Sequence, residues 1–293
     1  MTTIPLTDLD DPRVSLFRDV RDADLRGAHG LFLVESEACV RRWLHAVAAR
    51  RRGAALPPAV DVHSLLLSPE RVDSLRPAIL AAIGDAPGAA PVFSAPAAAV
   101  ASISGYSHHH GALGLGRRAP DAPPETLLAA LPPGPCTLLV AMGVVHVDNA
   151  GALFRNAAAF GAGGILLGPG CADPLTRKAV RISMGRVFSV PWGTFASLPQ
   201  LLPALRTAGF RVVAAEHVPG AVDVERLPHH PRNAFLLGAE GAGLAPEALA
   251  AADAVCRIAT VIRPPDEGPD EGISLNVAVA SAILLHEANR ARG

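Results

Sequence analysis

The sequence TLLVAMGVV at residues 137–145 is followed by GALFRNAAAF at 151–160 and by GILL at 164–167. The first and last runs are short and almost wholly apolar, which is typical of strands buried on both faces of a parallel sheet. The alternation of strands and helices continues downstream, with helices predicted at 175–182, 198–208 and 274–290 and strands at 211–215 and 234–237. This pattern predicts an α/β domain whose parallel sheet is covered by helices.

The first 118 residues predict a smaller α/β unit. Apolar runs at 31–34, 65–67 and 91–93 are candidate strands, and helical stretches separate them. Residues 119–136 hold six prolines around one short helical stretch. Because proline lacks an amide donor and restricts φ, this composition suits a semi-rigid linker. We therefore expect an N-terminal domain at 1–118, a linker at 119–136 and a second domain at 137–293.

Composition predicts a soluble cytoplasmic protein with a large core. Of the 293 residues, 50% are hydrophobic and 18% are charged, which excludes extensive disorder. The four cysteines are far apart without C-x-x-C spacing, so disulfides and structural zinc are not expected. There is no apolar run of membrane-spanning length, and the N-terminus lacks a signal core. Since the net charge is only -1, nucleic-acid binding would depend on local basic clusters.

Three consecutive histidines at 108–110 raise the possibility of a metal site. Consecutive side chains on a strand point to opposite faces, so three neighbours do not converge on one ion. A solvated strand end is the favoured interpretation, and no metal is expected.

Three polar segments of the C-terminal half lie where a strand ends or a helix begins, which is where open α/β sheets bind ligands. The first is DNAGALFRNA at 148–157. There Asn149 can cap the helix, and Arg155 projects further along it. A capped helix with one surface arginine is the alternative explanation of this segment.

The second segment is LGAEGAGL at 237–244, in which three glycines follow a predicted strand. Glycine lets the backbone approach a ligand closely. The dinucleotide fingerprint G-x-G-x-x-G is a rival, but its glycine order differs and its helix begins at once. An ordinary tight turn is the other alternative.

The third segment is ISLNV at 273–277, at the start of the final helix. Ser274 is a natural N-cap residue, and Asn276 can reach a ligand or support the cap. A plain helix cap is the alternative explanation.

Taken together, N-x-G-x-x-x-R at 149–155, G-x-E-G-x-G-L at 238–244 and S-L-N-V at 274–277 resemble, in this order, the three motifs of the SpoU (TrmH-type) RNA ribose 2′-O-methyltransferases. The resemblance covers residues 137–290. It implies a SPOUT domain with a parallel sheet and a C-terminal trefoil knot, which the pattern itself does not reveal. The N-terminal part resembles the family's substrate-binding domain.

The resemblance implies S-adenosylmethionine-dependent methylation of a ribose 2′-hydroxyl in RNA by a homodimer whose active site is completed across the subunit interface. The implied cofactor contacts are backbone groups of Gly238, Ile258 and Leu275. The resemblance implies that Arg155 activates the hydroxyl. Because a guanidinium stays protonated, we expect Arg155 to bind a neighbouring phosphate and stabilise the alkoxide, and Glu240 or that phosphate to accept the proton. Asn149, Ser274 and Asn276 are expected to orient Arg155 and the ribose. A basic cluster on the predicted helix at 175–182 and just after it is expected to contact RNA phosphates: Arg177, Lys178, Arg181 and Arg186. A solvated basic helix face is the alternative explanation.

One stretch departs from the family pattern. Family members usually read I-P-M and reach S-L-N within a few residues, whereas here Ile258 is followed by Ala-Thr and by PDEGPDEG at 265–272. This departure favours a rival function, a non-catalytic RNA-binding protein of the same fold, but the retained polar motif residues argue against it. A nicotinamide-dependent oxidoreductase is a more distant alternative. The additional N-terminal domain favours ribosomal over transfer RNA, by analogy alone.

Overall fold

The computed structural model describes residues 1–8, 10–18, 20–54, 60–104, 111–260 and 275–290. The chain divides into two compact units. Unit 1 comprises Met1–Asp121 and Asp173–Ser189, and unit 2 comprises Ala122–Ala172 and Val190–Gly293. The division differs from the predicted boundaries at the predicted linker, most of which belongs to unit 2, and at residues 173–189, which belong to unit 1.

The helices and strands of the described residues follow the alternation expected from the sequence. In chain order the helices are α1 (Asp22–His29), α2 (Glu37–Arg51), α3 (Pro69–Ile83), α4 (Ala97–Ser104), α5 (Pro124–Ala130), α6 (Val147–Ala159), α7 (Arg177–Ile182), α8 (Leu198–Thr207), α9 (Pro246–Ala251) and α10 (Val277–Arg290). The strands are β1 (Ile4–Pro5), β2 (Leu31–Glu35), β3 (Val60–Leu67), β4 (Val92–Ser94), β5 (Ala112–Arg118), β6 (Cys136–Ala141), β7 (Gly164–Leu167), β8 (Trp192–Thr194), β9 (Arg211–Ala215), β10 (Val222–Asp223), β11 (Arg232–Leu237) and β12 (Ala254–Arg257).

Unit 1 is built on a five-stranded mixed sheet in the order β1-β4-β3-β5-β2. Strands β1, β4 and β3 are parallel, and β5 runs antiparallel to both β3 and β2. Helices α2 and α3 start at serine caps: the side chain of Ser36 accepts a hydrogen bond from the amide of Cys39, and that of Ser68 from the amide of Arg71. All five residues of β2 are buried, so this strand lies inside the unit.

Residues 173–189 join unit 1 because their apolar side chains complete its core. The ring of Phe188 lies 5.7 Å from that of Phe32 on β2 and 6.4 Å from that of Trp43 on α2, measured between centroids. The Cys39 thiol lies 3.7 Å from the carbonyl oxygen of Val180 on α7. Aromatic pairs of this kind bury large areas, and the sequence pattern does not indicate which sheet they cover.

Unit 2 is built on a seven-stranded sheet in the order β10-β12-β9-β11-β6-β7-β8. Every neighbouring pair is parallel, which confirms the predicted α/β class. The central strands β6, β7 and β11 are buried almost throughout, as a sheet covered on both faces requires. The proline-rich stretch contributes α5, whose Leu127 is fully buried in this core.

The carboxyl ends of the parallel strands place several loops at one edge of the unit 2 sheet. Strand β6 ends at Ala141, earlier than the predicted 145, because Gly143 adopts a left-handed φ of 65°. The segments after β9, β11 and β12 leave from the same edge, where ligands of open α/β sheets bind. The predicted knot depends on the path of residues 261–274, which lie outside the described residues.

Candidate functional site

Helix α6 carries the first motif and begins earlier than the sequence suggests. It starts at Val147, and His146 holds the N-cap position without a side-chain cap hydrogen bond. The prediction that Asn149 caps this helix is therefore wrong, since Asn149 lies within the first turn. The residue is instead only 8% exposed, and its side-chain amide contacts other segments of the chain.

The glycine loop after β11 is a tight turn closed on itself. The amide of Gly243 donates to the carbonyl oxygen of Ala239 at 2.9 Å, and Gly243 has a φ of 65°. A Cβ atom on Gly238 would lie 2.3 Å from the Gly243 carbonyl carbon, so a side chain there would prevent the closure. The turn leaves Glu240 at its tip, facing the first turn of α6.

Side chains from all three motifs meet in an amide–carboxylate cluster formed by Asn149, Glu240 and Asn276. The Nδ2 atom of Asn149 donates to Oε1 of Glu240. The Nδ2 atom of Asn276 lies 2.7 Å from the same Glu240 oxygen and 3.0 Å from Oδ1 of Asn149. Three segments that are far apart in sequence thus form one hydrogen-bonded unit.

Asn276 also fixes the start of α10. Its Oδ1 atom accepts a hydrogen bond of 2.9 Å from the amide of Ala278, and α10 begins at Val277, so the Asn276 side chain acts as the cap. The Ser274 predicted for that role lies outside the described residues.

His146 is a site residue that the sequence analysis missed. Its Nε2 atom lies 3.5 Å from Oε2 of Glu240, while the other Glu240 oxygen accepts both amide donors of the cluster. The imidazole is largely exposed, and the pair is an ion pair only when the ring is protonated. A histidine two residues before the predicted polar segment at 148–157 was the available sequence signal.

Arg155 does not join the cluster of its own chain. It follows Asn149 by six residues, which turns it by about 240° around an ideal helix axis, and its side chain is exposed. Among the described residues, the Arg155 guanidinium has neither a hydrogen-bond nor an ion-pair partner.

Asn156, unlike Arg155, is hydrogen-bonded within the chain. It was also missed by the sequence analysis. Seven residues after Asn149, it lies on the same face of α6. Its Nδ2 atom donates to the carbonyl oxygen of Ala278 at 2.7 Å and to Oγ of Ser281 at 3.0 Å. The i, i+7 spacing from Asn149 was the signal that could have identified it.

A cavity of about 290 Å³ lies at the carboxyl ends of β9 and β12, between the glycine loop and the start of α10. Two of the predicted cofactor contacts, Ile258 and Leu275, line it. The third, Gly238, does not line the cavity. Because it lacks a side chain, the backbone of Gly243 can pack against it and close the glycine loop. Glu216 lines the cavity as well and was not predicted, although its position directly after a predicted strand was a usable signal.

The predicted RNA-binding residues fall into two groups within unit 1. Arg177 contacts Asp22 at 3.3 Å, and both Arg177 and Arg181 lie within 4 Å of the buried Glu35 carboxylate. Burial raises the pKa of Glu35, against the opposing effect of these two guanidinium groups. Lys178 and Arg186 have exposed side chains.

The expectations about a metal site and a membrane span can be examined in the described residues only. These residues contain no group of three or more histidine, cysteine, aspartate or glutamate side chains that could hold a metal ion. The histidines at 108–110 lie outside them. No helix in this part of the chain is long and apolar enough to cross a membrane.

Comparison with known proteins gives a family. Residues 137–286 match the SpoU rRNA Methylase family. A Mycobacterium bovis protein described as an uncharacterised tRNA/rRNA methyltransferase is 36% identical over 97% of this chain and 90% of its own. The 23S rRNA (guanosine-2'-O-)-methyltransferase RlmB of a Burkholderia species is 33% identical over 85% of this chain and 94% of its own.

Solved structures agree with this result. An AdoMet-bound rRNA methyltransferase from Sinorhizobium meliloti superposes with a TM-score of 0.77 over 98% of both chains at 25% identity. The SpoU methyltransferase AviRb from Streptomyces viridochromogenes, at 20% identity, has a TM-score of 0.69 over 91% of both chains and shows a shared fold.

The parallel sheet and the three converging motifs define a methyltransferase of the SPOUT class. The chain belongs to the SpoU rRNA methylase family. It is an S-adenosylmethionine-dependent RNA methyltransferase. The resemblance, the enzyme class and the cofactor inferred from the sequence are confirmed, and the nicotinamide-dependent alternative is removed.

Proposed function

We propose that the protein methylates a ribose 2′-hydroxyl in ribosomal RNA, with the 290 Å³ cavity holding S-adenosylmethionine. The observation that carries this proposal is the convergence of Asn149, Glu240 and Asn276. The cluster adjoins the cavity, because Ala239, Gly241 and Leu275 in its lining are sequence neighbours of cluster residues. A reacting group held by the cluster would therefore be close to the cofactor.

The residues that line the cavity suit the chemistry of the cofactor. Its lining combines backbone of the glycine loop with Ile258, Leu275 and the carboxylate of Glu216. Apolar walls with a few placed polar groups are typical of small-molecule sites. When bound, S-adenosylmethionine supplies an electrophilic methyl group on a sulfonium.

A ribose hydroxyl is a poor nucleophile until its proton leaves or its developing charge is stabilised. The guanidinium of Arg155 stays protonated, so it does not act as the base. Its role is to bind an RNA phosphate and stabilise the alkoxide. Glu240, or the RNA phosphate, accepts the proton, while Asn149 and Asn276 hold Glu240 in place through Oε1. Ser274 has the orienting role that the family motif implies.

The proposed assembly is a homodimer whose active site is completed across the subunit interface. Arg155 projects away from the cluster of its own chain, so one chain does not bring the arginine of the first motif to Glu240 and Asn276. A second subunit would bring an arginine to the cluster from outside, which is the arrangement implied by the family motifs.

Unit 1 is proposed to bind the RNA substrate. Its exposed cations include Arg51, Arg52, Lys178 and Arg186, and exposed cations supply the sequence-independent part of RNA affinity. Ribosomal RNA is preferred to transfer RNA because a relative covering 85% of this chain is described as a 23S rRNA methyltransferase. The chain passes from unit 1 to unit 2 within the predicted linker, between Asp121 and Ala122.

The test is a direct mapping of the modification. Ribosomal and transfer RNA from a deletion strain are compared with wild-type RNA for 2′-O-methylated nucleosides by mass spectrometry. We expect one 2′-O-methyl nucleoside to disappear from ribosomal RNA and to be restored by the purified protein with S-adenosylmethionine. Loss from transfer RNA instead would overturn the substrate assignment, and a lost base methylation would overturn the reaction.

A further inference from the structure

A carboxylate lines the cavity at the carboxyl end of β9. Glu216 is the first residue after this strand and is half-buried. Its Oε2 atom accepts a hydrogen bond of 2.7 Å from the amide of Leu244 in the glycine loop. Its Oε1 atom lies 3.2 Å from the amide of His217. Each oxygen thus has one backbone donor.

The surrounding backbone fixes this carboxylate in position. The amide of Glu216 donates to the carbonyl oxygen of Cys256 at 2.9 Å. Gly243 provides the space, since a Cβ atom there would lie 2.5 Å from Oε2 of Glu216. The glycine loop is therefore shaped around the carboxylate as well as around its own backbone.

The charge of Glu216 has no partner cation within the part of the chain that the structure describes. Arg257 also lines the cavity, but its Nε atom donates to Oδ1 of Asp223 at 2.8 Å. A carboxylate oxygen has two lone pairs, so each Glu216 oxygen can accept one further hydrogen bond. Two adjacent acceptors of this kind match a ligand that presents two neighbouring hydroxyl groups.

We propose that Glu216 binds the 2′- and 3′-hydroxyls of the adenosyl ribose and so sets the specificity of the cavity for a ribonucleoside ligand. The inference rests on the proposed function, in which this cavity holds the cofactor. Acidic side chains near the carboxyl ends of parallel strands bind ribose hydroxyls in other α/β proteins. Hydrogen bonds to a charged acceptor are among the stronger ones, so this contact contributes to affinity and discriminates against deoxynucleoside ligands.

The test is a cycle of two changes, one in the protein and one in the ligand. Calorimetry measures the binding of S-adenosylhomocysteine and of its 2′-deoxyadenosyl analogue to the wild type and to Glu216→Gln. We expect each single change to weaken binding by roughly 10- to 100-fold. The deoxy ligand should lose little further affinity in the variant, because the hydroxyl has already lost its charged acceptor.

A merely structural role of Glu216 gives a different result. In that case the variant weakens both ligands equally, the two changes are additive, and the proposal is overturned. Glu247→Gln removes the same charge from an exposed position on α9 outside the cavity, and it should leave both affinities unchanged. If Glu216→Gln does not fold, Glu216→Asp shortens the side chain by one methylene and gives the same comparison.

Further outcomes distinguish failure of the Glu216 assignment from failure of the proposed function. Weakening of S-adenosylmethionine by Glu216→Gln far beyond that of S-adenosylhomocysteine would mean that the carboxylate attracts the sulfonium charge, which overturns the ribose assignment. Failure of the wild type to bind either adenosyl ligand would overturn the proposed function and this inference with it. Binding by the wild type with no preference for the ribose form overturns only the inference.

Discussion

Two faces of helix α6 differ in whether their polar side chains find partners within the same chain. On one face, Asn149 and Asn156 are bound to Glu240 and to α10. On another, Arg155 is exposed and has no partner among the described residues. The comparison shows that a single chain assembles the amide–carboxylate cluster by its own packing. In the proposed dimer, by contrast, Arg155 acts on groups that come from outside its own chain.

Removal of Arg155 gives the largest expected effect. Arg155→Ala should lower methyl transfer by about two to four orders of magnitude, the usual contribution of one charge-stabilising or proton-transfer group. Cofactor affinity, measured by calorimetry, should stay near the wild-type value because the cavity lining does not include Arg155. Single-turnover methylation of the RNA substrate gives the rate.

Arg155→Lys sharpens this result, because lysine keeps the charge and loses the planar fork that binds phosphate. It should retain only part of the activity. Wild-type turnover in the lysine variant would mean that charge alone suffices. Loss of cofactor binding in the alanine variant would contradict the separation of Arg155 from the cavity.

Mixing two variants, each impaired in one part of the proposed site, tests whether Arg155 acts on the cluster of a second subunit. Arg155→Ala and Glu240→Gln are co-refolded in equal amounts and assayed against each variant alone. If the site is shared between subunits, half of the dimers are mixed and contain one intact site of two, so about a quarter of the wild-type activity returns. If Arg155 serves its own chain, the mixture stays as inactive as its components, and light scattering shows whether dimers formed.

Substitutions of Asn276 separate its two roles, the cap of α10 and the hydrogen bond to Glu240. Asn276→Ala should lower the free energy of unfolding by about 1 kcal/mol, because the amide of Ala278 loses its cap, and it should also reduce methyl transfer. Asn276→Ser restores a good cap but is too short for Glu240, so stability should return while transfer stays low. Urea denaturation and initial rates measure the two effects. Recovery of full activity in the serine variant would show that the cap was the only contribution of Asn276.

The smallest expected effect is on the pH dependence of stability and concerns Cys256, which lies on β12 and lines the cavity. Burial raises the pKa of Cys256 to about 12. At pH 8 and below, the thiol largely keeps its proton in both states. The unfolded chain loses it near pH 9 and the folded chain only near pH 12, so the free energy of unfolding falls as the pH rises through this window. Between pH 8 and 10.5 the wild type should lose up to about 2 kcal/mol more than Cys256→Ala does.

Denaturant titrations of both proteins at the two pH values measure this difference. Equal losses in wild type and variant would show that Cys256 is accessible to solvent in the folded protein. Comparison of the two proteins removes the contribution of other groups that titrate in the same range, and the constant cost of the cavity left by alanine cancels as well.

Much of the fold could be predicted because buried parallel strands have a local signature. Strands β7 and β9 have the predicted bounds, since a short apolar run between a glycine or polar residue and a helix leaves little ambiguity. The start of α6 was wrong because Asp148 and Asn149 are both acceptable capping residues, whereas the backbone places His146 at the N-cap. Helix α7 was predicted correctly as a helix. Its assignment to unit 1 depends on contacts of the same segment, such as that of Phe188 with Phe32, which is far away in the sequence.

The site shows the same limit. The sequence indicated Asn149, Glu240 and Asn276 through their motifs, but it did not show that all three share hydrogen bonds. His146, Asn156 and Glu216 were missed because each has a partner far away in the chain. The roles of such residues depend on contacts between segments that periodicity does not describe.

The sequence by itself determined the parallel α/β class, the order of the three motifs and the family, because these depend on local patterns of apolar and polar residues. Only the tertiary structure decided which motif residues meet, which unit residues 173–189 join and where Arg155 points. Hydrogen bonds and aromatic contacts act over a few ångströms between segments distant in sequence. They are therefore settled only when the strands are aligned and the helices are packed on them.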